Sequence, residues 1–261
     1  MAGWGQPVVA TPFTLAGAMT PATLAGALAQ QHAEALFMLA LAQIVRPGVP
    51  AVYGGFTSNV DMRTGSPAFG TPEAVKAAIA TGQLARRVGL PFRTSNVTAS
   101  AVVDAQAAYE SEMSVWGAVT SGASLLYQGA GWLEGGLTAS FEKLVLDAEL
   151  LQQAAELLTP IEVDDDALGL DAIAEVGPGG HFFGAAHTLA RFETAFYRPM
   201  LSDGRSFEAW REDGARTATE RANQIWKQLL AEYEPPPLDP GRAQALDEYV
   251  ARGKREIEGR A

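Results

Sequence analysis

The feature that most constrains this chain is a move it makes four times. A short apolar run meets a polar, glycine-containing loop, and an amphipathic helix follows. The runs cover residues 7–13, 50–56, 91–97 and 123–129. They begin roughly 30 to 45 residues apart, the spacing of strand–helix units whose helices return the chain to a parallel neighbour. Alternation within the runs is weak, which predicts parallel strands covered on both faces.

The helices carry clearer signals. Thr71-Pro72-Glu73 supplies a cap, a proline at the first helical position and an early acidic residue, and Gly89 ends that helix. Asp104 caps the third, which shows Tyr109, Met113 and Trp116 on one face and has Gly122 beyond its end. In the fourth, Phe141, Leu144, Val145, Ala148, Leu151, Ala155 and Leu158 follow the helical period. The first runs from about residue 21 to 45, before Pro47-Gly48, and sets His32 on a Leu24, Leu28, Leu36 stripe as a hydrogen-bonded packing residue.

Strict strand–helix order predicts an α/β fold with parallel strands and right-handed crossovers. No phosphate-binding glycine loop follows a strand, so a (β/α)8 TIM-barrel type fits better than an open dinucleotide-binding sheet. Only four βα units are present in residues 1–159, which is half a barrel. Residues 160–261 read as a helical appendix. It holds an acidic helix start at Asp164-Asp165-Asp166, a helix over about 216–233 and a stiff proline-rich connector at 235–240 before a last charged helix.

Composition narrows the chemistry. The chain has no cysteine and three histidines. That excludes disulfides, thiolate metal sites and a cysteine nucleophile, and it argues against an all-histidine metal site. Lys plus Arg is 19 and Asp plus Glu is 30, for a net charge of −11. Such a surface repels polyphosphates, so neither nucleic acid nor an anionic membrane is an expected partner. The most apolar stretch, near residues 36–45, is too short to span a bilayer, and no secretion signal opens the sequence. A soluble, cytoplasmic protein is expected.

In a parallel barrel the strand C-termini form the active face. The residues there are Tyr53, Thr57, Ser58, Asn59 and Asp61, then Arg93, Ser95, Asn96 and Thr98, then Tyr127, Gln128, Trp132 and Glu134. They are rich in hydroxyls, amides and rings and poor in nucleophiles, so catalysis would rest on positioning and a cofactor's reactivity. Tyr53 and Tyr127 either face a ligand or fill a barrel layer. Trp132, after Gly129-Ala130-Gly131, either faces the ligand or packs in a lid. Arg93, at a strand centre, either pairs with a structural carboxylate or clamps a substrate carboxylate. His181 and His187 are six residues apart and share no helical face; the glycine–proline approach makes His181 the better candidate.

Several phrases together closely resemble the trimethylamine methyltransferase (MttB-type) family. They are Gly177-Pro178-Gly179-Gly180-His181-Phe182-Phe183-Gly184-Ala185-Ala186-His187-Thr188, Phe196-Tyr197-Arg198-Pro199 and Glu234-Pro235-Pro236-Pro237-Leu238-Asp239-Pro240. Upstream, Tyr53-Gly54-Gly55-Phe56, Gly65-Ser66-Pro67-Ala68-Phe69-Gly70-Thr71-Pro72-Glu73, Asp104-Ala105-Gln106 and Glu142-Lys143-Leu144-Val145-Leu146-Asp147 agree as well. The resemblance implies a TIM-barrel enzyme of methylamine metabolism. Such an enzyme moves a methyl group from a methylated amine to the cobalt of a corrinoid (cobalamin) carried by a separate partner protein. Family members are longer at the N-terminal side, so this chain resembles their C-terminal half. Pyrrolysine, found in the trimethylamine-specific members, is absent, which points toward quaternary amines such as glycine betaine, with a tertiary amine as the rival substrate. Tyr53, Tyr127 and Trp132 would hold the cation on their ring faces, and Arg93 or Asn96 a substrate carboxylate; Gln128 and His181 complete the expected substrate site, and no residue is assigned a catalytic role. Half a barrel leaves edges and apolar surface open, so pairing with a second copy or with the missing half is expected. The alternative is a fragment or split-enzyme half that is not catalytic alone.

Overall fold

The computed structural model describes residues 1–259. The first apolar run makes β1 (Val8–Ala10), and after Thr11-Pro12 a second strand, β2 (Phe13–Ala16). Helix α1 (Leu24–Val45) is capped by Thr23, whose hydroxyl accepts the Gly26 amide at 3.2 Å. The second run also divides, into β3 (Ala51–Gly54) and β4 (Phe56–Val60), followed by β5 (Pro67–Ala68) and α2 (Pro72–Arg87). Next come β6 (Phe92–Ser95), α3 (Ala105–Ser121), β7 (Leu125–Tyr127), a small hairpin of β8 (Trp132–Leu133) with β9 (Thr138–Ala139), and α4 (Phe141–Leu157). The short α5 (Asp165–Leu168), α6 (Leu170–Val176), α7 (Ala186–Leu189) and α8 (Phe207–Glu212) precede α9 (Ala218–Ala231) and α10 (Pro240–Glu258).

The fold is α/β. A parallel sheet in the order β1-β3-β6-β7 follows chain order, and a second sheet, β2-β4-β5, continues beyond its first two strands. The apolar runs are therefore longer than the strands they encode. Thr11-Pro12 and Gly55 break the first two, so the chain changes sheets partway through each of those runs.

Covering of both faces is not observed. On one face Ala10, Tyr53 and Phe92 pack against Ala35 and Leu39 of α1 and Ala85 of α2. On the other, Val9, Leu125 and Tyr127 are exposed. Three helix stripes also differ from the expected ones. Helix α1 buries Ala27, Gln31, Ala35, Leu39 and Ala42, not the Leu36 stripe. Helix α3 turns Tyr109, Met113 and Trp116 outward and buries Ala107, Glu110, Ser111, Val115, Ala118 and Ser121. Small residues are needed there because α2 and α3 nearly touch. A Cβ on Gly82 would lie 2.2 Å from the Ser121 carbonyl oxygen. Helix α4 exposes Phe141 and Leu144 and buries Lys143, Val145, Asp147 and Glu149.

The contact-dense part of the chain extends from Met1 to Trp226, and a second unit begins at Lys227. Within the first, carboxylates of α4 hold the later segments. Glu149 accepts the Met200 and Leu201 amides at 2.8 and 3.1 Å and the Ser202 hydroxyl at 3.1 Å. Burial works against its charge, yet hydrogen bonds from Gln153, Leu201, Met200 and Ser202 hold its carboxyl below the usual range. Glu142 accepts from Asn223 at 2.6 Å and from the Trp226 indole at 2.8 Å, which lowers its pKa to about 2. In the second unit, α10 begins after the proline connector with Asp239 accepting the Arg242 amide at 3.0 Å. No described helix is long and apolar enough to cross a membrane.

Candidate functional site

In a parallel sheet, residues paired in register point to the same side and successive residues to opposite sides. Tyr53 pairs with Ala10 and Phe92, and Gly54 with Arg93. Arg93 pairs with Leu125, and Ser95 with Tyr127. One face therefore carries Ala10, Tyr53 and Phe92, the face packed on the helices. The other carries Val9, Val52, Gly54, Arg93, Ser95, Leu125 and Tyr127.

This division separates the expected site residues. Tyr53 is fully buried among the helices, and its hydroxyl lies 2.9 Å from Nδ1 of His32. Its ring cannot present a face to a ligand on the open side, which corrects the expectation for Tyr53. His32 makes the hydrogen bond expected of a packing histidine. Burial pushes the Tyr53 phenol above its usual value, with Gln31 acting in the opposite direction.

Arg93 points the other way. It is only 6% exposed, yet no hydrogen bond or ion pair ties its guanidinium to another described residue, and the buried Nη1 has no partner. Among the described residues no carboxylate pairs with it, as one of its two expected roles requires. Instead the guanidinium lies 4.7 Å from the centre of the Tyr127 ring and 5.7 Å from that of Phe56. Burial pulls its pKa down, and Tyr127 pushes it up. A buried cation held only by ring faces is costly to keep and is satisfied by an incoming anion.

Around it lies an aromatic cluster that the sequence reading did not single out. Phe13 and Phe56 pair in register with ring centres 5.1 Å apart, and Phe69 stacks on Phe56 at 5.3 Å. A signal for it exists in the sequence. Phe13-Thr14 and Phe56-Thr57 are the same dipeptide at equivalent points of the first two units.

Asn96 is buried and donates from Nδ2 to the Gly129 carbonyl at 2.9 Å, which leaves Oδ1 as its unpartnered atom. Its amide fixes the loop after β7, and Nδ2 keeps a second N–H beyond the one given to Gly129. Tyr127 is 57% exposed, and Gln128 beside it has φ 54°, a left-handed turn at the strand exit. Trp132 is half-buried in β8, where its carbonyl accepts the Thr98 hydroxyl at 3.0 Å. His181 is exposed with its ring 5.8 Å from Phe183, and no hydrogen bond or ring contact among the described residues joins it to the Arg93 group. His187 lies 3.0 Å from the Asp166 carbonyl oxygen.

Behind β4 and β6 a cavity of about 40 Å³ opens between the strands and helices α2 and α3, lined among others by Phe56, Thr57, Ser95, Ala78 and Ser114. It has room for water, not for an amine with several methyl groups.

A family model described as trimethylamine methyltransferase (MTTB) matches residues 1–258. Glycine betaine methyltransferase of Desulfitobacterium hafniense strain Y51 is 37% identical over 254 residues, covering 97% of this chain and 53% of that protein. Trimethylamine methyltransferase MttB2 of Methanosarcina mazei is 31% identical over 257 residues, covering 97% and 51%. Trimethylamine methyltransferase MttB of Desulfitobacterium hafniense strain DCB-2 is 31% identical over 253 residues, again covering 97% and 51%. The chain spans about half the length of the curated relatives it matches.

Proposed function

The chain belongs to the trimethylamine methyltransferase family, and from that premise we propose that it takes part in moving a methyl group from a betaine-like quaternary amine to the cobalt of a corrinoid. The carrying observation is Arg93, a buried guanidinium with no carboxylate partner, set between Phe56 and Tyr127 on the open side of the sheet. A betaine offers what this group lacks, a carboxylate joined to a cation. Arg93 takes the carboxylate in a charge-assisted hydrogen bond. The ammonium then lies against Phe13, the face of Tyr127 turned away from Arg93 and, from its hairpin, Trp132.

Charge accounting favours a quaternary over a tertiary substrate. Loss of a methyl group from a quaternary ammonium leaves a neutral amine, so no acid is needed to assist departure. A neutral tertiary amine would need a proton. Among the described residues, no carboxylate or histidine forms an ion pair with the Arg93 guanidinium or a ring contact with Tyr127. A corrinoid brought by a separate protein would approach from the C-terminal ends of the strands, where Tyr127 is exposed and Gln128 turns the chain out of β7. When bound, the corrinoid supplies the reduced cobalt that accepts the methyl group. This chain's residues hold the amine in line and keep water from its methyl groups.

The sheet is proposed as part of a (β/α)8 barrel. Parallel strands in chain order, edges at β1 and β7 and one uncovered face support that reading. Further βα units, from a second copy or from the other half of a longer enzyme, would close the face over the substrate. On this reading the strand–helix units end near residue 159, the later helices form an appendix, and the setting is cytoplasmic.

The test is an anaerobic incubation of the chain with reduced cobalamin and either glycine betaine or trimethylamine. Dimethylglycine is expected from the first, above the protein-free control, and no dimethylamine from the second. Dimethylamine without dimethylglycine would replace this reading with a tertiary-amine one.

A further inference from the structure

Three charged side chains lie beneath the loops of this site with almost no exposure: Glu110 at 6%, Lys143 at 0% and Asp147 at 1%. Lys143 and Asp147 are one turn apart on α4. The Lys143 ammonium donates to both Asp147 oxygens, at 2.5 and 2.6 Å, and to the Ser111 hydroxyl on α3 at 2.7 Å. Asp147 Oδ2 also accepts the Gly131 amide at 2.9 Å. Glu110 on α3 accepts the Ala99 and Ser100 amides at 2.8 and 3.0 Å through one oxygen, and Gln106 at 2.8 Å through the other.

Three loops end on this cluster. Gly131 belongs to the loop after β7, and Ala99 and Ser100 to the loop after β6. Gly70, in the loop after β5, approaches so closely that a Cβ there would sit 2.3 Å from Cβ of Glu110. Two of the loops are also joined directly. The Gly135 amide donates to the Thr98 carbonyl at 2.7 Å, and the Glu134 amide to the Ser100 carbonyl at 2.9 Å.

Stability does not require charges here. A buried ion pair can often be exchanged for packed apolar residues at no loss. Burial drives the Lys143 ammonium toward its neutral form, while Asp147 and Glu110 oppose that. What carboxylates supply, and apolar residues cannot, is acceptors at fixed positions for loop amides that would otherwise be buried and unpaired.

We propose that Glu110, Lys143 and Asp147 are positioning residues, a shared charge cluster that sets the loops bearing Asn96, Gln128 and Trp132 in the geometry that receives substrate. This rests on the open side of the sheet being the substrate site. Lys143 carries no chemistry itself. It neutralises Asp147, so that Asp147 can remain charged in the interior and hold Gly131.

Two neutral double variants test this. Lys143→Met with Asp147→Leu removes the charges and the acceptor, whereas Lys143→Met with Asp147→Asn removes the charges and keeps an acceptor for Gly131. The asparagine variant is expected to melt close to the wild type and the leucine variant somewhat lower, because it leaves the Gly131 amide buried without an acceptor. Amide exchange across residues 128–136 should be about tenfold faster in the leucine variant than in the asparagine variant, the loss expected for one hydrogen bond to a buried amide, with helix α2 unchanged. Calorimetric affinity for glycine betaine should fall several-fold in the leucine variant alone. Equal exchange in the two variants at 128–136 would overturn the proposal and leave the pair as packing. If either fails to fold, Glu110→Gln against Glu110→Ala, read at residues 97–101, gives the same comparison. Wild-type protein that ignores glycine betaine would count against the substrate reading, and the exchange result would still decide the role of the cluster.

Discussion

On the helix side of the four-stranded sheet, Ala10, Tyr53 and Phe92 meet Ala35, Leu39 and Ala85, and the Tyr53 hydroxyl finds His32. On the other side Val9, Leu125 and Tyr127 remain exposed, and the Arg93 guanidinium lies against rings with its buried Nη1 unpartnered. The residues concerned are adjacent in the chain: Phe92 and Arg93 differ by one position and by every property that matters. Apolar contact is complete where the sheet is structural. Polar capacity is left over where a ligand is expected. The difference shows how a single β-strand can serve stability with one side chain and recognition with the next.

The largest expected effect tests the packed side. Tyr53→Ala should cost about 3–5 kcal/mol, as large aromatic truncations in cores do, whereas Leu125→Ala on the open side should cost no more than about 0.5 kcal/mol. Urea denaturation of both variants measures this. A large, concentration-dependent loss for Leu125→Ala would mean that a second chain covers the open side in solution, and the contrast between the faces would then hold only for the separate chain.

Arg93 sharpens the comparison from the other direction. Arg93→Met removes a buried charge that has no partner, so stability should hold or rise. Affinity for glycine betaine should meanwhile fall by about tenfold to a hundredfold, the loss expected for a charge-assisted hydrogen bond. Arg93→Lys should not restore it, because an ammonium lacks the planar fork. A fall in stability with affinity intact would make Arg93 a structural residue.

How much of this could be read from sequence depends on how local the determinant is. The caps were legible: Thr71-Pro72 and Asp104 begin their helices because their side chains accept nearby backbone amides, at 3.2 and 3.1 Å. Strand order followed from the repeat. The side on which each strand residue falls was not legible, since Val8, Val9, Ala51 and Val52 are apolar on both faces. Nor was the interior of α4. Hydrophobic periodicity treats Lys143 and Asp147 as solvent-facing, and only the three-dimensional meeting of α4 with Ser111 and Gly131 makes that burial tolerable. In the same way Arg93 and Asn96 were visible as polar residues in an apolar run, but which of their atoms were already committed was settled by distant partners such as Gly129.

The smallest expected effect separates two tyrosines that sequence places on an equal footing. Tyr53→Phe keeps the packing and loses the hydrogen bond to His32, a cost of about 1 kcal/mol; Tyr127→Phe on the open side should leave stability unchanged. Their pH dependence should differ too. Burial raises the Tyr53 phenol above its usual 10.0, so folding favours the neutral form. That contribution is fully present below pH 10, where the unfolded chain is also protonated, and it is lost as pH rises through the higher folded value. Wild-type stability should therefore decline above pH 10 more steeply than that of Tyr53→Phe, measured as urea midpoints at pH 8, 10 and 11, with Tyr127→Phe following the wild type. Parallel curves for wild type and Tyr53→Phe would mean that the Tyr53 phenol reaches solvent, and the packed face would then be looser than the contacts of Ala35, Leu39 and Phe92 require.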